Sequence, residues 1–216
     1  MIVSLNEIET LARKAAAGAG LPVGVADDFG AAVRALAEAG APAERLAAKA
    51  LGSLDAGAVR PAPRRDGAVW RLAPSSDAAL SAAASAPTAA DLACAFCSDP
   101  DGGVVLEAVD VPEIVIGALA ASGGDFTVEY GGRQLRVSGG EIGPLSGAPG
   151  ADTPVAMAIR SGAGAGDGLR RTVPTEGVPA DRTAWEALER YAARCLVPES
   201  EGSRLRGAGA GLLDAD

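Results

Sequence analysis

The stretch from Asp125 to Ser138, DFTVEYGGRQLRVS, constrains the fold more than any other part of the chain. Phe126, Val128 and Tyr130 alternate with Thr127 and Glu129, and beyond Gly131-Gly132 the residues Leu135 and Val137 alternate with Gln134 and Arg136. A period of two is the mark of a half-buried strand, and paired glycines supply the positive φ angles of a two-residue hairpin turn. That turn pairs Tyr130 with Arg133, Val128 with Leu135, and Phe126 with Val137. One face is then mostly apolar. The other sets Thr127 against Arg136 and Glu129 against Gln134, with Glu129 diagonal to Arg136.

The N-terminal part carries the helical period instead. Ser4 and Glu7 have capping-box spacing, with Val3 and Ile8 at the hydrophobic-staple positions. Leu5, Ile8, Leu11 and Ala15 predict a helix to about residue 17, stopped by Gly18 and Gly20. A second helix follows Pro22, buries Phe29, Val33 and Leu36, and ends at Gly40. Pro42 suits the first turn of a third, carrying Leu46 and Ala50. Residues 1–54 read as a three-helix unit.

Further on, residues 55–66 read as a linker containing Pro61, Pro63 and the pair Arg64 and Arg65. Ala68 to Leu72 reads as a strand, and Ala78 to Ala84 as a short helix. Leu92 to Cys97 and Gly103 to Val109 read as two strands of a hairpin around the turn Ser98-Asp-Pro-Asp-Gly-Gly. Asp110 and Glu113 repeat the cap spacing, Pro112 suits a helix start, and Ile114 to Ala121 is apolar on all sides; the cap and the proline favour a helix. Residues 139–153 are loop, and Val155 to Ile159 is a strand. Asp181 to Arg194 is a helix with Trp185, Leu188, Ala192 and Cys195 on one face and an exposed Glu186–Arg190 pair.

Only seven of the 216 residues are Phe, Trp or Tyr, so the core is built from Ala, Val, Leu and Ile. The formal charge of −9 argues against a nucleic-acid or anionic-membrane surface, both of which need a clustered basic face. The N-terminus has neither a signal-peptide nor an anchor pattern, and no apolar span of ~20 residues follows. Three cysteines fit a reducing cytoplasm better than a disulfide framework. The chain has no histidine, which excludes intrachain Ser-His-Asp and Cys-His catalysis and any imidazole metal site.

Polar chemistry is densest at the C-terminal end. Gly207, Gly209 and Gly211 alternate with alanines, and such a run can converge its N–H groups into a cradle for phosphate or carboxylate. Arg204 and Arg206 precede it, and an arginine fork matches these oxyanions. Glu199 or Glu201 is the nearby group able to act as a base. The candidate ligand-binding residues are therefore Glu199, Ser200, Ser203, Arg204, Arg206, Gly207 and Gly209; the competing reading is a frayed tail. A second alternating run, Ser161 to Gly168, precedes Arg170 and Arg171 and reads as a surface loop. Cys94-Ala-Phe-Cys97 has CxxC spacing, but a strand setting and the lack of further ligands favour two reduced, buried cysteines with no metal. No metal site or cofactor is expected.

The opening SLNEIETLARKAAAGAGLPVGVADDFGAAVRALAEAG and the closing VPESEGSRLRGAGAGLLDAD resemble the two ends of a family of uncharacterised bacterial proteins, a domain of unknown function. The resemblance implies no activity, cofactor or catalytic residue. It does imply that Glu199, Ser200, Ser203, Arg204 and the loop from Gly207 to Gly211 are family features.

Taken together, the expectation is a single α+β domain over residues 1–216. An N-terminal helical layer packs on a mostly antiparallel sheet in residues 67–160; loop, C-terminal helix and glycine-rich tail follow in 161–216. The expected function is a cytoplasmic protein that binds a small anionic metabolite, as an enzyme or an accessory protein of catabolism. The rival is a non-enzymatic interaction protein that forms a homo-oligomer.

Overall fold

The computed structural model describes residues 1–96, 101–144, 153–162 and 177–195. The capping box forms: the Ser4 hydroxyl accepts from the Glu7 N–H at 3.2 Å, and the Glu7 carboxylate accepts from the Ser4 N–H at 2.7 Å. Helix α1 runs from there, Leu5–Gly18. Val3 and Ile8 are both buried, as a staple requires. Helices α2 (Val23–Glu38) and α3 (Ala43–Asp55) follow. All three end alike. Gly20, Gly40 and Gly57 take positive φ, and the next residue's N–H reaches back to Ala16, Leu36 and Ser53 carbonyls respectively. This is the Schellman closure, and it needs glycine at the left-handed position.

Residues 62–66 are a strand, not a linker: β2 (Ala62–Asp66) pairs antiparallel with β3 (Val69–Ala73). Its one proline, Pro63, is tolerated because β2 is an edge strand, where a missing N–H can face outward. The expected short helix at 78–84 and strand at 92–97 are also corrected, since one helix, α4 (Ala82–Phe96), begins only at the end of the first segment and runs through the second as far as Phe96. The hairpin between 92–97 and 103–109 therefore does not exist. A short apolar run has no period that separates buried strand from buried helix. Next come β4 (Gly103–Val109) and α5 (Pro112–Ala121), which is buried on every side from Pro112 to Ala120.

The predicted hairpin is present as β5 (Phe126–Tyr130) and β6 (Arg133–Ser138), with the pairs Phe126–Val137, Val128–Leu135 and Tyr130–Arg133. Two short strands and a long one follow: β7 (Glu141–Ile142), β8 (Val155–Ser161) and β9 (Val178–Pro179), the last pairing with β1 (Ile2–Val3). Helix α6 (Arg182–Ala193) closes the described chain, N-capped by Asp181, whose carboxylate accepts from the Ala184 N–H at 3.0 Å.

The main sheet has the order β2-β3-β4-β8-β5-β6-β7 and is antiparallel except for β3–β4. The protein is thus an α+β fold. Helices α4 and α5 lie on one face of the sheet, α2 lies on α5, and α1, α3 and α6 form the outer helical layer. That face buries Leu72, Val104, Leu106, Phe126, Val128 and Ile159. The opposite face exposes Arg64, Arg71, Glu107, Glu129, Gln134, Arg136 and Arg160. With few aromatics, the helices approach closely. A Cβ on Gly117 of α5 would collide with the Ala32 carbonyl of α2 and sit 2.9 Å from the Leu36 Cγ. No helix among the described residues is long and apolar enough to cross a membrane.

Candidate functional site

Glu199, Ser200, Ser203, Arg204, Arg206, Gly207 and Gly209 lie outside the described residues, as do Cys97, residues 163–168, Arg170 and Arg171. Cys94 sits on helix α4, not at the end of a strand, and is exposed. Cys195 is exposed too, its thiol donating to the Lys14 carbonyl at 3.5 Å. No group of three or more metal-ligating side chains occurs among the described residues.

The described polar chemistry gathers where β4 and β5 end and α4 and α5 begin. Strand β4 leaves the sheet through an irregularity between Leu106 and Val109, with Ala108 at φ +53°. That turn delivers Asp110 into the interior. One carboxylate oxygen accepts from the Ala82 N–H at 2.8 Å and from the Val111 N–H at 2.6 Å, and the Ser53 hydroxyl hydrogen-bonds the same group. Asp110 thereby caps the first turn of α4 and steadies the entry to α5, whose own N-cap is Val111. The expected Asp110 cap on α5 is in this respect corrected. Burial raises the Asp110 pKa, against the opposing pull of its backbone hydrogen bonds.

Glu113, in the first turn of α5, is buried. Its carboxylate lies near the Tyr130 phenol at the end of β5. Burial first and the Glu113 charge second raise the Tyr130 pKa, while the neighbouring Arg133 guanidinium partly offsets them. The phenol therefore holds its proton at neutral pH. Arg133 is exposed at the first position after the Gly131-Gly132 turn. Beside it opens a shallow groove of about 840 Å³, floored by Val105, Ala156 and Ala158 and bordered by Tyr130, Arg133 and Gln134. Gln134 donates to the Glu129 carboxylate at 2.9 Å, which holds that wall.

Chemically, the rim offers a planar cation next to a neutral O–H donor. A carboxylate suits this pair, because the guanidinium fork can take both of its oxygens. Sequence reasoning read Tyr130 and Arg133 only as hairpin partners. The adjacency of an arginine to a glycine turn was the available signal; the proximity of Glu113 had none, since it depends on how α5 docks beneath β5.

Among solved structures, the fold matches an E. coli protein assigned as a malate/lactate dehydrogenase, with a TM-score of 0.57 and 10% identity, over 92% of this chain and 96% of that one. At that identity the likeness is one of fold. A malate dehydrogenase from Entamoeba histolytica is more distant, with a TM-score of 0.46 and 13% identity, over 88% of this chain and 61% of the other. No curated protein sequence matches the chain. Residues 3–82, from β1 to the start of α4, match the model of a family described as "Protein of unknown function (DUF3726)", a match that includes the N-terminal stretch of the resemblance and not the C-terminal one.

Proposed function

We propose that the protein binds a small metabolite bearing a carboxylate, as an enzyme or an accessory protein of catabolism in the reducing cytoplasm. The observation that carries this reading is the Arg133 guanidinium beside the Tyr130 phenol at the rim of a groove. The fold likeness to a malate/lactate dehydrogenase supports the choice of a carboxylate, since malate and lactate are both small carboxylates. With no histidine in the chain, any proton transfer at this site falls to Tyr130 or a carboxyl group. Arg204 and Arg206 with the glycine run after them form the second part of the proposal, a further anion-holding element supplied by the C-terminal stretch.

The test is a thermal-shift screen of the full chain against small mono- and dicarboxylates, including malate, lactate and their 2-oxo counterparts, with phosphorylated metabolites as a second arm. Binding to the folded state raises the melting temperature by mass action. The reading requires a saturable shift that Arg133→Ala abolishes. A shift lost on deletion of residues 199–216 but kept by Arg133→Ala would place the anion on the C-terminal stretch instead. A screen in which no carboxylate and no phosphate shifts the protein would end the reading.

A further inference from the structure

The exposed face of the main sheet is patterned for a second copy of itself. Across the strands, directly paired residues form rows that share a face. One exposed row runs Arg64, Arg71, Val105, Ala158, Glu129, Gln134, from β2 to β6. The row beside it runs Asp66, Val69, Gly103, Arg160, Thr127, Arg136, with Gly103 and Arg160 brought level by the adjacent Val104–Ile159 pair. The centre of the face is low, with Val105 and Ala158 half-buried and no side chain on Gly103. Its flanks are charged. Arg71 pairs with Asp66 at 3.1 Å and with Glu107 at 3.7 Å, all of them exposed.

We propose that two copies pack these faces together about a two-fold axis parallel to the strands, between β4 and β8. Such an axis exchanges the two halves of each row. Val105 then meets the partner's Ala158, Arg71 the partner's Glu129 and Arg64 the partner's Gln134, which covers the groove beside Arg133, so this dimer is the ligand-free form and a ligand in the groove competes with it. In the second row Asp66 meets the partner's Arg136, Val69 the partner's Thr127 and Gly103 the partner's Arg160. No like charges face each other, small residues meet at the axis, and two pairs are of opposite sign. Sheets that pack face to face sit about 10 Å apart, a gap spanned here by the long side chains: Arg71 with the partner's Glu129, and Arg160 over the partner's Gly103. The twist of each sheet displaces the outermost pairs most, so Arg71 with the partner's Glu129 is the contact that sets the register. The patch is only six strands wide, so the dimer is concentration-dependent and weakened by salt.

The test is sedimentation velocity of the full chain across a micromolar concentration series, with no ligand present. The wild type should self-associate to a dimer. Arg71→Glu and Glu129→Arg should each weaken it by about tenfold or more, because each puts like charges opposite one another. The double swap restores opposite signs and should recover the wild-type dimer. Ala158→Lys, at the axis, should abolish association while the melting temperature stays that of the monomer, which covers the case in which a charge swap disturbs the fold. A monomer at every concentration, a dimer indifferent to Ala158→Lys, or a double swap weaker than either single one overturns the proposal.

Discussion

Asp110 is the residue whose ionisation matters most to the folded state. It is buried, it serves the N–H groups of Ala82 and Val111, and burial raises its pKa. The folded protein therefore holds this proton to a higher pH than the unfolded chain does. The contribution to stability is complete below the ordinary carboxylate pKa and is lost as pH rises through the raised one. Asp110→Asn keeps an acceptor for both N–H groups and removes the charge. Urea midpoints measured from pH 4 to 8 should show a flatter profile for Asp110→Asn, with no loss of stability at pH 8. Asp110→Ala should cost about 1–2 kcal/mol, the usual loss on removing a helix cap. An unchanged slope in the Asn variant would mean that another group dominates. None of this was legible beyond the cap spacing itself: the sequence places Asp110 three residues before Glu113, but the helix it caps begins at Ala82, distant in sequence. Tyr130 and Glu113 are hidden in the same way, since only packing of α5 under β5 brings them close.

Elements with a strong local signal were read correctly. The β5–β6 hairpin appears in the expected register because its period of two and its glycine turn leave no alternative pairing that keeps Phe126, Val128 and Val137 inside. Helices α1 to α3 were legible from caps, period and terminal glycines. Helix α4 was not, because its alanines at 82–84, 86, 89, 90 and 93 are buried in a run with almost no polar contrast, and Pro87 interrupts it. Edge strand β2 was obscured by Pro63 and by Pro61 just before it. The same reliance on small residues makes the α2–α5 contact unforgiving. Gly117→Ala should destabilise the protein by about 1–3 kcal/mol, the range for overpacking a tight core, because the new methyl group meets the Ala32 backbone rather than a side chain that can rotate away. Chemical denaturation of the variant checks this, and a loss below about 0.5 kcal/mol would show that the two helices separate freely.

At the scale of the whole molecule, the α+β architecture follows from a helical N-terminal part and an antiparallel hairpin, both visible in the sequence, whereas the layering of α5 between α2 and the sheet was not. One continuous core joins the helices to the sheet. The single-domain organisation proposed for residues 1–216 therefore predicts one cooperative thermal transition, with calorimetric and van't Hoff enthalpies in agreement; two resolved transitions would divide the chain. The central claim is that Arg133 at the groove rim takes a carboxylate. Isothermal titration of the most stabilising carboxylate from the screen into wild type and Arg133→Ala tests it most directly. Arg133 is exposed, so the variant should melt at the wild-type temperature without ligand and bind at least about tenfold more weakly, a loss of roughly 1.4 kcal/mol. Equal affinity in the two proteins would contradict the account.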